Sequence, residues 1–182
     1  RSEEREQHRP GARRDGERLH AGQTRKSGEP YFHHPLRIAL EATELGLDPD
    51  TVAIALLHDA LEDTEVTLVE LRRDFGEIAD VVDGLTKITA EEAKGWERGK
   101  AQTYSKMLVS TVRDIRTLLV KILDRLDNVR SLAAMRRDKQ RRIAQETLDV
   151  YVPVAARLGL GEICRELSRH SFRYLYPKRF SR

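Results

Sequence analysis

The stretch LLHDALED, residues 56–63, places a His-Asp pair and, one turn later, a Glu-Asp pair in an apolar run that begins at Val52. On a continuous helix, residues three and four apart are neighbours, so His58 would meet Glu62 and Asp59 would meet Asp63. Unpaired ionisable groups are costly in a buried helix. Two interpretations therefore stand: a divalent metal bound by imidazole and carboxylate groups, or a hydrogen-bonded core histidine with solvated acids beside it.

The composition indicates one helix-rich domain. A chain of 182 residues can form one sizeable core, and its 33 basic and 30 acidic residues nearly balance, so nucleic acid is not required as a partner. The single Cys164 cannot form an intrachain disulfide, which favours a reducing compartment. No apolar run approaches the ~20 residues that span a bilayer, and no signal-peptide core follows the amino terminus. We expect a cytoplasmic protein without membrane contact.

Residues 1–18 are dense in charge and predict a mobile segment. Pro10, Gly11 and Gly16 interrupt any helix there, and the few apolar residues provide little surface to bury. We therefore expect the folded domain to span residues 19–182.

Helical periodicity recurs along the rest of the chain, and no alternating strand pattern appears. Three helix starts carry a capping residue or a first-turn proline: His34-Pro35, Asp48-Pro49 and Thr67 with Glu70. Further helices are expected over residues 77–88, from about Asp114 to Val129, after Asp138 and over residues 162–176. A surface loop is expected over residues 89–99, around Trp96. The fold class is all-α, with roughly eight to ten helices.

Three of these helices carry residues that could form one metal site. The set is His34 at a helix start, His58 and Asp59 in the buried helix, and Asp124 in a third helix. Two imidazoles and two carboxylates suit Mn²⁺, Fe²⁺ or Zn²⁺, and a set without thiolates leaves positions open for water and substrate. Such a metal lowers the pKa of the water, which Glu62 and Asp63 could orient or deprotonate. The alternative for Asp124 is a surface acid paired with Lys121 or Arg125.

From His20 to Phe180 the chain resembles the hydrolase domain of the RelA/SpoT family. The matching segments are Gly22-Gln23, RKSGEPY at 25–31, His34-Pro35, LLHD at 56–59, LEDT at 61–64, VDGLTK at 82–87, DRL at 124–126 with Asn128, and SFRYLYP at 171–177. A His-Asp pair alone is weak evidence, whereas this ordered set is specific. One departure is Asp127, where the family usually has histidine. Whether Asp127 tunes metal affinity or faces solvent stays open at this point.

The resemblance implies an HD-fold helical bundle with a central metal site. It also implies hydrolysis of ppGpp and pppGpp, the alarmones of the stringent response, at the 3′ position to pyrophosphate and GDP or GTP. The implied metal, usually Mn²⁺, would be held by His34, His58, Asp59 and Asp124. Glu62 and Asp63 would position the attacking water and handle protons. The implied nucleotide contacts are Arg25 with the guanine, Lys26 and Ser27 beside it, and Asn128 from the helix of Asp124.

Lys139 belongs to the basic run at residues 136–142, which has two interpretations. It is either a solvated helix start or a source of phosphate contacts, with Lys139 the preferred candidate.

The overall function has two alternatives as well: an HD phosphohydrolase for another nucleotide, and a catalytically silent domain that binds an alarmone or regulates a neighbour. The intact His-Asp and Glu-Asp pairs favour activity. Residues 171–180 resemble the junction that leads to a synthetase domain in longer relatives. Two alternatives therefore stay open: a fragment of a bifunctional enzyme whose parent chain carries such a domain, or a stand-alone hydrolase.

Overall fold

The computed structural model describes residues 11–95 and 114–180, with side chains described up to residue 87 in the first range. The helices are α1 (Gly11–Leu19), α2 (His33–Glu44), α3 (Pro49–Leu57), α4 (Ala60–Asp63), α5 (Leu68–Phe75), α6 (Glu77–Gly95), α7 (Ile115–Arg130), α8 (Arg137–Glu146), α9 (Val152–Arg157), α10 (Gly161–Leu175) and α11 (Pro177–Phe180). The expected all-α class is confirmed: in these ranges, β pairing is limited to one isolated bridge between Thr24 and Pro30. Among the described residues, no helix combines the length and the apolar character needed to cross a bilayer.

Helix α3 lies at the centre of the bundle, where it packs against α1, α2, α6 and α7. Six of its residues are buried, including Ile54 and Leu57 at 0% exposure. A helix that is apolar on every side is stable only when other helices surround it. Replacing either residue by alanine would cost about 2–5 kcal/mol of folding free energy. The buried helix thereby gives the His-Asp pair at its end a rigid base.

Capping residues start three of the helices where the sequence predicts. They are Asp48 for α3, Thr67 with Glu70 for α5, and Asp114 for α7. Two predicted boundaries are wrong. Helix α8 begins at Arg137, before the expected cap Asp138, and α6 continues to Gly95 through the first part of the expected loop. Trp96 lies outside the described residues.

The sequence predicts a mobile segment over residues 1–18, but residues 11–18 lie in helix α1. Residues 1–10 lie outside the described part of the chain. Ala12 and Gly16 are four residues apart and both buried. A Cβ atom at Gly16 would lie 2.8 Å from Phe32 Cε2 and 2.9 Å from the main-chain oxygen of Leu56. The glycine that suggests a helix breaker therefore permits close packing, which outweighs its helix penalty of about 1 kcal/mol. The folded domain includes residues from Gly11 onward, not from residue 19.

Candidate active site

The helix that carries the 56–63 motif is interrupted at the His-Asp pair. Helix α3 ends at Leu57 and α4 begins at Ala60, so His58 and Asp59 form a turn. Asp59 has φ −96° and ψ −1°, in the sparsely populated bridge region where many active-site residues lie. Consecutive residues of a continuous helix point about 100° apart. The turn instead brings His58 Nε2 and Asp59 Oδ1 to 3.1 Å. The expectation of one unbroken helix through Asp63 is therefore wrong.

The four residues predicted to hold a metal come together from α2, the α3–α4 turn and α7. One ligand atom each from His34, His58 and Asp59 lies within 4.8 Å of the other two. His34 Nε2 is 3.7 Å from Asp59 Oδ2 and 3.2 Å from Asp124 Oδ1. The two imidazole rings meet edge-on, with centroids 5.2 Å apart. This arrangement favours the metal-site interpretation over the isolated core histidine.

Each imidazole has one nitrogen held by the protein and one directed at the acids. His58 Nδ1 lies 2.8 Å from the oxygen of Ala55, which can only accept, so Nδ1 carries a proton. His58 Nε2 is buried, and within the described residues its 3.1 Å approach to Asp59 Oδ1 lacks the alignment of a hydrogen bond. His34 Nδ1 lies 2.7 Å from Asp127 Oδ2. A buried ring nitrogen left without a hydrogen bond beside carboxylates fits a metal ligand.

Both acids of the set are held ionised. Burial alone would raise the pKa of Asp59, but the charge and hydrogen bonding of His58, together with the charge of His34, outweigh it and lower the pKa to about 2. Burial also opposes ionisation of Asp124, yet the hydrogen bond with His34 and the charge of Lys121 hold its pKa well below the usual range. Lys121 Nζ is 3.7 Å from Asp124 Oδ2. The alternative pairing of Asp124 with Lys121 thus occurs together with its contact to His34, and two ionised acids suit a divalent cation.

Tyr31 links the two acidic pairs of the motif, a role that sequence reasoning missed. Its hydroxyl lies 2.8 Å from Asp59 Oδ2 and also contacts Asp63 Oδ2. Its ring stacks on His20, with centroids 4.7 Å apart. Burial and the charge of Asp59 raise the pKa of Tyr31 far above its usual value, so the phenol stays protonated and donates. The only signal in the sequence was its place at the end of the matched 25–31 segment.

Glu62 and Asp63 are exposed and line an open cavity, and Asp63 is linked to Asp59 of the cluster through the hydroxyl of Tyr31. The cavity has a volume of about 760 Å³, and its lining also includes Gln23 and Arg18. The pKa of Glu62 is raised, first by partial desolvation and then by the charges of Asp59 and Asp63. A carboxyl group that holds its proton more tightly than usual suits proton transfer near neutral pH. Water and substrate can therefore reach a candidate acid-base group here.

The predicted nucleotide contacts lie in three places. Arg25 donates from Nη2 to Asn128 Oδ1 at 2.8 Å, and Asn128 Nδ2 donates to Asp124 Oδ1 at 2.6 Å, so these two adjoin the cluster. Lys26 and Ser27 are exposed in the loop that carries Arg25. Lys139 is exposed in the first turn of α8, and within the described part of the chain no side-chain hydrogen bond or ion pair holds it.

Asp127 faces the site and not solvent, which answers the question that the sequence left open. Its side chain is buried, and it accepts hydrogen bonds from His34, Arg25 and Arg37. Its position three residues after Asp124, on the same side of α7, was the available signal. Arg37 gave no such signal, because its contact with Asp127 spans 90 residues of sequence.

Comparisons with known proteins show which family the chain belongs to. Residues 12–161 match the family described as HD domain. A guanosine-3′,5′-bis(diphosphate) 3′-pyrophosphohydrolase of Aquifex aeolicus is 45% identical over 164 residues, which are 90% of this chain and 23% of that protein. A GTP pyrophosphokinase of Streptomyces coelicolor is 47% identical over 165 residues, which are 90% of this chain and 19% of that protein. The chain thus spans less than a quarter of the length of these curated relatives.

A solved structure of a metazoan orthologue of SpoT, which hydrolyses ppGpp, has the same fold. The superposition covers 95% of this chain and 96% of that chain, with a TM-score of 0.61 and 18% sequence identity. At this level of identity the likeness concerns the fold alone. The expected HD-type helical bundle is confirmed by the family match and by this similarity.

Proposed function

The chain belongs to the HD-domain family, in its RelA/SpoT branch, and on that premise we propose that it removes the 3′-pyrophosphate of ppGpp and pppGpp. The products would be pyrophosphate and GDP or GTP. One observation carries the proposal: two imidazoles and two ionised carboxylates from three parts of the chain converge, and the neighbouring acids Glu62 and Asp63 line an open cavity. The similarity to a 3′-pyrophosphohydrolase supports the choice of substrate.

We propose His34, His58, Asp59 and Asp124 as the residues that hold a metal, and Mn²⁺ as the ion. The donor set of two nitrogens and two carboxylates fits this group of divalent cations. When bound, the ion supplies a water of lowered pKa and offsets the charge of the leaving pyrophosphate. The hydrogen bonds on His34 Nδ1 and His58 Nδ1 leave both Nε2 atoms directed at the acids, which supports this assignment.

We propose that Glu62 transfers protons and that Asp63 orients the attacking water. Attack of water on the 3′ phosphorus forms one P–O bond and breaks the bond to the 3′ oxygen, so the water loses a proton and the 3′ oxygen gains one. Glu62, with its raised pKa and its exposure to the cavity, is suited to both transfers. Asp63 is held by Tyr31 and would orient the water.

Arg25, Lys26, Ser27, Asn128 and Lys139 are the proposed nucleotide contacts. Arg25 is bound at both Nη atoms, which leaves the flat faces of its guanidinium for stacking on a base. Lys26 and Ser27 lie exposed in the same loop, and the exposed ammonium of Lys139 is available for a phosphate. The contacts proposed for Arg25 and Asn128 thus have the strongest geometric support. The phosphate contact proposed for Lys139 is supported only by its charge and exposure.

The direct test is incubation of the purified protein with Mn²⁺ and ppGpp, followed by ion-exchange chromatography of the products. We expect pyrophosphate and GDP in equal amounts, and their loss on chelation or in Asp59→Asn. Tight binding of ppGpp without products would contradict hydrolysis and support a silent binding domain. Turnover of other nucleotides but not of ppGpp would support a different HD phosphohydrolase.

We also propose a cytoplasmic location, which the single cysteine supports because it suits a reducing compartment. A synthetase domain in a longer parent chain is proposed as well. The relative named GTP pyrophosphokinase supports it, since this chain matches only 19% of that protein.

A further inference from the structure

Five side chains form a closed ring of hydrogen bonds and one close imidazole–carboxylate contact, which joins the metal-site residues to the loop of Arg25. Asp127 Oδ2 contacts His34 Nδ1 at 2.7 Å and Arg25 Nη1 at 3.0 Å. Arg25 Nη2 then donates to Asn128 Oδ1, and Asn128 Nδ2 donates to Asp124 Oδ1. Asp124 Oδ1 lies 3.2 Å from His34 Nε2, which closes the ring. We call these five residues the Asp127 ring.

Asp127 makes the densest set of contacts in this ring. In addition to His34 and Arg25, it accepts from Arg37 Nε at 2.6 Å and from Arg37 Nη2 at 3.1 Å. Glu29 holds Arg37 from the other side, at 2.9 and 3.0 Å. Burial leaves Asp127 5% exposed, so its charge is compensated by these donors and not by water.

We propose that Asp127 is a positioning residue for both halves of the site: it orients His34 toward the metal and Arg25 toward the nucleotide. By binding the proton of His34 Nδ1 it leaves His34 Nε2 directed at Asp59 and Asp124. By binding Arg25 it fixes the guanidinium plane before any nucleotide arrives, which lowers the entropy lost on binding. The inference rests on the proposed function and deepens it, because one carboxylate then serves metal and substrate together.

The inference predicts different effects for substitutions of Asp127 and of Arg25. Removing the carboxylate should weaken metal binding and nucleotide binding, whereas removing Arg25 should weaken nucleotide binding with little change in metal affinity. Outer hydrogen-bond partners of metal ligands typically contribute about 10- to 100-fold in metal affinity. A residue with a merely structural role would instead lower the melting temperature of the metal-free protein and leave the affinities of the folded fraction unchanged.

The test measures Mn²⁺ binding without nucleotide, and ppGpp binding in EDTA, by isothermal titration calorimetry. The proteins are the wild type, Asp127→Ala, Asp127→Asn and Arg25→Ala. The matched control is Asp83→Asn, which removes a partly buried acid that pairs with Lys87 at 2.5 Å on α6. The Asn variant preserves volume and serves if the Ala variant does not fold, as judged by circular dichroism and melting in EDTA.

We expect Asp127→Ala to lower Mn²⁺ affinity about 10- to 100-fold and ppGpp affinity at least severalfold, with a smaller change of the same sign in Asp127→Asn. Arg25→Ala should lower only ppGpp affinity, and Asp83→Asn neither. If the folded Asp127 variants bind both within twofold of wild type, or lose only one of the two, the inference is overturned while hydrolysis by the wild type still stands. A wild type that binds no Mn²⁺ and releases no pyrophosphate would overturn the proposed function, and with it this inference.

Discussion

His58 Nδ1 lies 2.8 Å from the main-chain oxygen of Ala55, three residues earlier in the chain. The contact fixes the tautomer of His58 by backbone geometry alone, because a carbonyl oxygen accepts and cannot donate. Substitution of the Ala55 side chain would not remove it. The main chain of the last turn of α3 thus directs His58 Nε2 toward the site, and this contact does not depend on the identity of the side chain at position 55.

The two adjacent histidines at the start of α2 should differ sharply in function. His34 is buried within the cluster, whereas the side chain of His33 is 53% exposed and lies 3.9 Å from Glu29. We expect His34→Ala to lower Mn²⁺ affinity and ppGpp turnover by more than about 100-fold, since it removes a ligand and not only an outer partner. His33→Ala is the matched control and should remain within about threefold of wild type. Equal effects in the two variants would contradict the assignment of His34.

Glu62→Gln should separate catalysis from metal binding. The substitution keeps the shape of the side chain but removes the group that takes up and gives back a proton. Turnover of ppGpp should fall about 10²- to 10⁴-fold, with Mn²⁺ affinity nearly unchanged. Glu65→Gln, at the same cavity, is the matched control and should be near wild type. Loss of Mn²⁺ affinity in Glu62→Gln would instead make Glu62 a ligand.

Tyr31→Phe should loosen the geometry of both acids. The variant removes the hydroxyl between Asp59 and Asp63 and preserves the ring that stacks on His20. We expect a loss of about 0.5–1.5 kcal/mol in folding free energy, measured by urea unfolding. Turnover should fall more than Mn²⁺ affinity, because Asp63 loses its orienting contact. Tyr174→Phe, on α10, is the matched control; a change of the same size there would refute a specific role for the Tyr31 hydroxyl.

The stability of the metal-free protein should fall as pH rises through about 9. Burial alone would lower the pKa of His34, but hydrogen bonds to Asp124 and Asp127 outweigh it and raise the pKa to about 9. The folded state therefore binds a proton that the unfolded chain, with an imidazole pKa near 6.5, releases first. This contribution is fully present below about pH 6.5 and amounts to about 3 kcal/mol.

The measurement is urea unfolding in EDTA at pH 6 and at pH 9.5. We expect the free energy of unfolding to be lower at pH 9.5, and the difference to shrink in His34→Gln, which cannot bind the proton. Equal or greater stability at pH 9.5 in the wild type would contradict the shift. Because Mn²⁺ must displace the same proton, its apparent affinity should rise with pH over this window.

Gly16→Ala should destabilise the protein although alanine is the better helix former. The new methyl group would lie under 3.0 Å from both Phe32 and the main-chain oxygen of Leu56, so α1 must shift. We expect a loss of about 1–3 kcal/mol in the free energy of unfolding. Gly84→Ala in α6 is the matched control, since nothing lies within 4 Å of the added Cβ, and it should be neutral or stabilising by up to about 1 kcal/mol. Equal changes in the two variants would contradict close packing at Gly16.

Some features could be predicted from the sequence because they depend on residues a few positions apart. The caps at Asp48, Thr67 and Asp114 and the helical periodicity act within one or two turns, and they predict the all-α class and most helix starts correctly. The motif 56–63, with His34 and Asp124, likewise predicted the four residues that the fold brings together. The roles of these four in binding a metal stay a prediction.

Other features were decided only by the tertiary structure, because they depend on residues far apart in the chain. The contact between Arg25 and Asp127 spans 102 residues, so no local pattern could show that these two side chains meet. In the sequence, Gly16 suggests a helix breaker. In the fold, Phe32 and the main chain of Leu56 pack against Gly16 so closely that a larger residue would not fit. The break between α3 and α4 likewise lies where His58 and Asp59 both approach His34 of α2, 24 or more residues away in the chain. Local propensity differs by only about 1 kcal/mol per residue, whereas packing and buried hydrogen bonds contribute several, so tertiary contacts decide such positions.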